Sequence, residues 1–261
     1  MRRQNRLRSI FVFSLAFSTA IAARAAADEK PKYDAFDAKG VKIRYSTLGS
    51  GEPVVLIHGL HASGEINWVL PGISAALAKN HQVIALDLPG HGGSDKPKDE
   101  DAYGTRMVDD VLLLMDHLQI KKAHIVGYSL GGMIALKLIA EHPDRALSGT
   151  LGGMGWMKEG GVLQKFWERL PTKEDSRTPP ACINSIGKLA ITEEQLKAVK
   201  TPMIVLIGDR DPVKAMYVAP LQAVRKDWTV VEIPNAGHLI CIFKKEFKDE
   251  LVKWVEKNTK K

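Results

Sequence analysis

An α/β fold with a mostly parallel central sheet flanked by helices is what this sequence predicts, and three observations carry that prediction. Short β-rich runs alternate with longer helical patterns from Asp37 onward, as layered α/β architectures require. The centres of the runs at 83–86, 124–126 and 203–207 are nearly continuously apolar, which suits strands covered on both faces. Between them, Met107, Val108, Val111, Leu112, Met115 and Leu118 keep helical spacing, so one face of that segment should pack on the sheet.

Each element follows from local patterning. Residues 40–59 read as a strand, a Gly-Ser-Gly turn and a second strand, and 81–90, 121–129, 146–153, 201–209 and 228–235 supply five more. Helical patterns occupy 63–80, 103–120, 131–143, 218–227 and 243–258, the last with Phe247, Leu251, Trp254 and Val255 facing inward. From about 153 to 200 the rhythm breaks into a Gly-, Pro- and charge-rich insert. Thr192 to Gln195 (TEEQ) carries a capping-box signal that opens a short helix there. An insert of this size between two strands predicts a short cap rather than a second domain.

The chain's 261 residues and 45% hydrophobic content suffice for a sizeable core, and no internal repeat divides it. The expectation is one domain over residues 28–261. Residues 1–27 are set apart: four arginines by residue 8 precede an apolar stretch at 10–23 and then small residues, the layout of a removable secretory signal peptide. A membrane span needs about 20 apolar residues, and this stretch is shorter and ends at Arg24. Cleavage after Ala25 or Ala27 fits the small-residue preference, and no cysteine lies there for lipid attachment. The expected destination is the periplasm or the exterior. Removing residues 1–27 takes away five arginines and no acid, lowering the formal net charge from +7 to +2. Nothing in that balance calls for nucleic acid or an anionic membrane as partner. Cys182 and Cys241 are the two cysteines. Buried free thiols are expected, with a bridge tying the insert to the body as the alternative that export permits.

Gly127-Tyr128-Ser129-Leu130-Gly131 fits G-x-S-x-G between a strand and a helix. That arrangement holds a serine hydroxyl out on a strained turn at the C-terminal sheet edge, beside the free N–H groups of a helix start. A serine at neutral pH needs a base. His238 follows the last strand run and returns to the same edge, and Asp211, after the preceding strand, is the candidate to orient it. Asp209 competes for that role, but it follows Gly208 directly and is expected to shape the turn. His58-Gly59 ends a buried strand, so the backbone N–H groups of Leu60 and Leu130 are the candidate oxyanion donors. The His58 ring itself is expected to be structural. His58, His61 and His91 lack a third partner at metal-ligand spacing, there is no dinucleotide or P-loop motif, and no cofactor or metal is expected.

His58-Gly59, the DLPGHGGSD stretch at 87–95, GYSLGG at 127–132, GDRDPV at 208–213 and AGH at 236–238 occur in one order. With them the chain resembles the α/β-hydrolase superfamily, in particular its serine esterase and C–C hydrolase branch, over roughly residues 35–257. The resemblance implies an acyl-enzyme route on a small carboxylic ester, with Ser129 as nucleophile, His238 as proton shuttle and Asp211 fixing its tautomer. A C–C hydrolase, a thioesterase and a cofactor-free perhydrolase remain open on the same residues. A ligand-binding fold without catalysis is the reading from another class. Met154, Trp156 and Met157, in the GGMGWMKEGG stretch, either line an apolar substrate site or anchor the insert to the core.

Overall fold

The structure is a computed structural model, and it describes residues 30–173 and 177–260. The signal peptide expected over residues 1–27 lies outside the described residues. Among the described residues eight strands form one sheet in the order β1-β2-β4-β3-β5-β6-β7-β8. They are β1 (Lys32–Asp37), β2 (Lys42–Leu48), β3 (Glu52–Ile57), β4 (His81–Leu86), β5 (Ala123–Tyr128), β6 (Ala146–Gly152), β7 (Met203–Gly208) and β8 (Thr229–Ile233). From β4 across to β8 every neighbouring pair is parallel, and β2 alone runs against its two neighbours. Seven of these strands are the ones the sequence predicts. The eighth, β1, escaped the pattern because it is an exposed edge strand whose only buried side chain is Phe36.

Alternation along the inner strands sorts their side chains between two cores. Val55, Ile57, Ile125, Val205 and Ile207 face one side, against α2 (Arg106–His117) and α3 (Leu130–Glu141). Val54, Leu56, Val126, Ile204 and Leu206 face the other, against Trp68, α1 (Ile73–Leu77) and α8 (Lys245–Asn258). Two-sided burial is why these strands read as unbroken apolar runs. Each fully buried large side chain, such as Trp68 or Phe247, contributes about 1.5–3 kcal/mol through the area it removes from water.

The insert after β6 carries α4 (Val162–Arg169), α5 (Pro180–Asn184) and α6 (Glu193–Ala198), and α7 (Ala219–Val224) follows β7. Thr192 caps α6 as its sequence announced: its side chain accepts from Gln195 N–H, and the Gln195 side chain returns the bond. Cys182, Ile186, Leu189, Ile191 and Leu196 of the insert belong to the same buried cluster as α2 and α3. The insert therefore shares its core with the body. Cys182 and Cys241 are both buried and free, so no bridge joins cap to body.

Candidate active site

Ser129 joins β5 to α3 with φ +53° and ψ −116°. A residue with a side chain avoids that region, at a cost on the order of 1–3 kcal/mol that the surroundings must hold in place. The glycines on either side make the turn feasible. A Cβ on Gly127 would lie 2.0 Å from Gly131 O, and one on Gly131 would lie 2.1 Å from Ile57 O. Ser129 N–H donates to Gly152 O at 2.8 Å, continuing the β5–β6 pairing into the turn. The serine is thus fixed at the sheet's C-terminal edge and remains partly accessible.

The loop after β8 brings His238 to the serine. His238 Nδ1–H donates to Asp211 Oδ2 at 2.8 Å, and Nε2 lies 2.9 Å from Ser129 Oγ. Because a carboxylate only accepts, the proton sits on Nδ1, and Nε2 accepts from the serine hydroxyl. Asp211 is buried, and its other oxygen accepts from Val213 N–H at 2.9 Å. The competing carboxylate does other work. Asp209 accepts from Ala236 N–H and Asn235 N–H at 3.0 and 2.9 Å, and these backbone donors hold its pKa below the usual carboxylate value. It shapes the turn that delivers His238, as its place after Gly208 suggested.

The end of β3 supplies the third component. Gly59 presses against the serine, since a Cβ there would lie 3.2 Å from Ser129 Cβ. Leu60 follows directly, and among the described residues neither Leu60 N–H nor Leu130 N–H finds an acceptor. Such unpaired donors beside a serine hydroxyl are suited to receive developing negative charge. The His58 ring serves this loop. Leu88 N–H donates to its Nε2 at 2.9 Å, so Nδ1 carries the proton and donates to Gly59 O at 2.7 Å. That bond fixes the peptide whose other end is Leu60 N–H. Burial holds His58 below its ordinary pKa, keeping it neutral. Two partners that motif spacing did not reveal complete the loop. Asn67 accepts from Gly59 N–H, and Asp87, first residue of the DLPGHGGSD stretch, accepts from Gly64 N–H and Gly93 N–H, each at 2.8 Å.

The cap docks on two more histidines. His61 Nδ1 lies 2.9 Å from Thr178 Oγ1, which lies 3.1 Å from His91 Nε2, and His91 Nδ1–H donates to Pro89 O at 2.9 Å. Burial pushes His91 down to about 3, so its acceptor nitrogen stays free for Thr178. Among the described residues no group of three His, Cys, Asp or Glu side chains is arranged to hold a metal ion. Of the two roles the sequence leaves open for Met154, Trp156 and Met157, the packing around them shows the anchoring one. Each is about 3% exposed within the core cluster. Trp156 Nε1–H donates to Ile191 O at 3.0 Å and its backbone N–H to Tyr217 O at 2.9 Å, so the segment ties the cap to the body.

The sequence profile of the alpha/beta hydrolase fold matches residues 52–184, half of the chain. The chain belongs to the α/β-hydrolase fold family. This α/β hydrolase is 34% identical over 191 residues to the 2-hydroxymuconate semialdehyde hydrolase of Pseudomonas sp. (strain CF600), covering 71% of this chain and 65% of that protein. Over 133 residues it is 40% identical to the dihydrolipoyllysine-residue acetyltransferase component of the acetoin cleaving system of Pseudomonas putida, covering 49% of this chain and 35% of that protein. It therefore spans about a third of the length of that relative. A solved structure reported with the activity profiles of carboxylesterases from Nitrososphaera gargenis superposes with a TM-score of 0.69 at 18% identity, covering 87% of this chain and 98% of the other. At that identity the likeness establishes the fold.

Proposed function

We propose that this α/β hydrolase cleaves a small carboxylic ester through an acyl-enzyme formed on Ser129. One observation carries the reading: an unbroken hydrogen-bonded path from Ser129 Oγ through His238 to buried Asp211, with two unpaired backbone N–H groups alongside. Ser129 Oγ attacks the ester carbonyl carbon while its proton passes to His238 Nε2. The carbonyl oxygen takes the negative charge and is held by Leu60 and Leu130 N–H, each such donor contributing about 3 kcal/mol at the transition state. As the C–O bond to the leaving group breaks, His238 returns the proton to the departing alkoxide. Water then loses a proton to Nε2 and attacks the acyl carbon; the C–O bond to Ser129 Oγ breaks, Oγ takes the proton back from Nε2, and the carboxylic acid leaves. Asp211 orients the ring and faces the imidazolium.

A second reading, hydrolysis of a C–C bond next to a ketone, is favoured by the 34% identity to 2-hydroxymuconate semialdehyde hydrolase. The same nucleophile and base serve it, with a carbanion in place of the alkoxide. Export directed by residues 1–27 belongs to the proposal too, and cell fractionation tests it. The deciding experiment is turnover of p-nitrophenyl acetate and of a vinylogous diketone by the purified protein and its Ser129→Ala variant. Serine-dependent ester turnover is expected. Preference for the diketone supports the second reading, and wild type no faster than Ser129→Ala on either compound leaves a binding fold without catalysis.

A further inference from the structure

The residue just before the nucleophile has no part in the proposed mechanism, yet it is built into the base. Tyr128 ends β5 and is buried, and its hydroxyl donates to the backbone carbonyl of His238. Among the described residues that is the one hydrogen bond made to the His238 backbone. Its ring lies 5.8 Å from the His238 ring and meets Phe247 edge-on at 5.7 Å. The socket is cleared by two glycines at the end of β6. A Cβ on Gly152 would lie 2.8 Å from Tyr128 Cδ2, and one on Gly153, where φ is +56°, would lie 3.0 Å from Cζ. Burial raises the phenol pKa strongly, so the hydroxyl remains a donor.

Without that bond the His238 backbone is held only at its neighbours: upstream Asp209 binds the Asn235 and Ala236 N–H groups, and downstream Gly237 O accepts from Ile240 and Cys241 N–H. Leu239 is 81% exposed and Ile240 is 52% exposed, and packing resumes only at the buried Cys241 and Ile242. We infer that Tyr128 is a positioning residue that ties the nucleophile turn to the backbone of the base and so sets the reach of His238 Nε2 to Ser129 Oγ. Serine and imidazole are then referenced to one β-strand end, although 109 residues separate them. Misplacing a catalytic group by a fraction of an ångström slows the chemical step while leaving substrate binding alone. The inference rests on the hydrolase reading above for its kinetic readout.

Tyr128→Phe removes the hydroxyl and keeps the ring. Its kcat is expected to fall about tenfold, with KM within about twofold of wild type and Tm nearly unchanged. Phe247→Leu, which loosens the socket and keeps the hydroxyl, is the structural control and should lower Tm while sparing kcat. Wild-type kcat in Tyr128→Phe overturns the inference, and so does a fall in kcat matched by a fall in Tm on the line set by Phe247→Leu. If Ser129→Ala proves as fast as wild type, the hydrolase reading fails on its own, and ¹⁵N spectra of the His238 ring decide the Tyr128 question. Exchange broadening in Tyr128→Phe supports the tie, and unchanged ring resonances refute it.

Discussion

Replacing Asp211 by Asn is the sharpest test of the proposed proton path, because the structure dictates which way the amide must turn. Asp211 Oδ1 accepts from Val213 N–H at 2.9 Å and Oδ2 accepts from His238 Nδ1–H at 2.8 Å. An asparagine serves the buried Val213 N–H only with its carbonyl oxygen, which aims its NH2 group at His238 Nδ1. The ring then relieves the clash of two donors by moving its proton to Nε2, where it points at Ser129 Oγ and no longer accepts. Fixing a triad histidine in the wrong tautomer costs about 10⁴-fold in kcat. At about 1.4 kcal/mol per tenfold that is about 5.5 kcal/mol of transition-state stabilisation. Asp209→Asn is the matched control, since that carboxylate is exposed and contacts only backbone donors of the turn. It should cost less than about tenfold, through a looser loop. Steady-state ester kinetics on both variants, with thermal melts to establish folding, make the comparison. The reasoning is refuted if folded Asp211→Asn keeps more than about a hundredth of wild-type kcat, or if Asp209→Asn falls as far.

Three further outcomes are expected. Burial holds His91 at about 3, well below its unfolded value near 6.5, so the unfolded chain binds a proton that the native chain refuses. Stability contributed by neutral His91 is present above pH 6.5 and lost as the pH falls toward 3. By pH 5 the loss is about 2 kcal/mol, or about 4–8 °C in Tm for a chain of this size. Urea unfolding at pH 7 and pH 5 should show a shallower pH slope in His91→Gln, and an identical slope would sink the assignment. Gly131→Ala puts a methyl 2.1 Å from Ile57 O, against backbone that cannot yield. It should cost about 3 kcal/mol or more, seen as a fall in Tm or a loss of soluble protein, and wild-type stability would contradict the close approach. Cys182 and Cys241 are buried and free, and burial raises each thiol to about 12. Both should react with a disulfide reagent slowly in the native chain and completely in denaturant, whereas fewer than two reactive thiols after unfolding would mean a bridge.

Much of this was legible in the sequence because period and punctuation carry it. Strands buried on both faces announce themselves by unbroken apolar runs, and the turn at Ser129 by glycines that the close approach of β3 and α3 leaves no room to replace. Ser129, Asp211 and His238 converge because parallel strands all end at one edge, so strand order alone places their loops together. β1 was hidden because an exposed edge strand needs no apolar run. Met154, Trp156 and Met157 were ambiguous because apolar residues after a strand serve a pocket wall or an anchor equally well, and packing partners decide between them. The partners of Asp209 and Asp211 lie 26 and 27 residues downstream, a separation at which no local pattern assigns which carboxylate meets the imidazole.

The electrostatics of this edge follow from keeping its supporting histidines neutral. His58, His61 and His91 all have pKa values lowered chiefly by burial, and each donates a ring N–H without adding charge. A protonated ring at any of these positions would add positive charge to the edge where, on the proposed mechanism, an imidazolium forms when Ser129 attacks. The other buried carboxylate nearby, Asp87, is spent on Gly64 N–H, Gly93 N–H and the Arg44 guanidinium. Asp211 is therefore left as the anion directed at His238, and the Leu60 and Leu130 N–H groups as donors free for the opposite charge. On the proposed mechanism the two charges that develop together, imidazolium and oxyanion, each meet a preset partner with no side chain needing to reorganise. The same neutrality lowers stability as the pH falls, because the protons these rings refuse in the native state are taken up on unfolding.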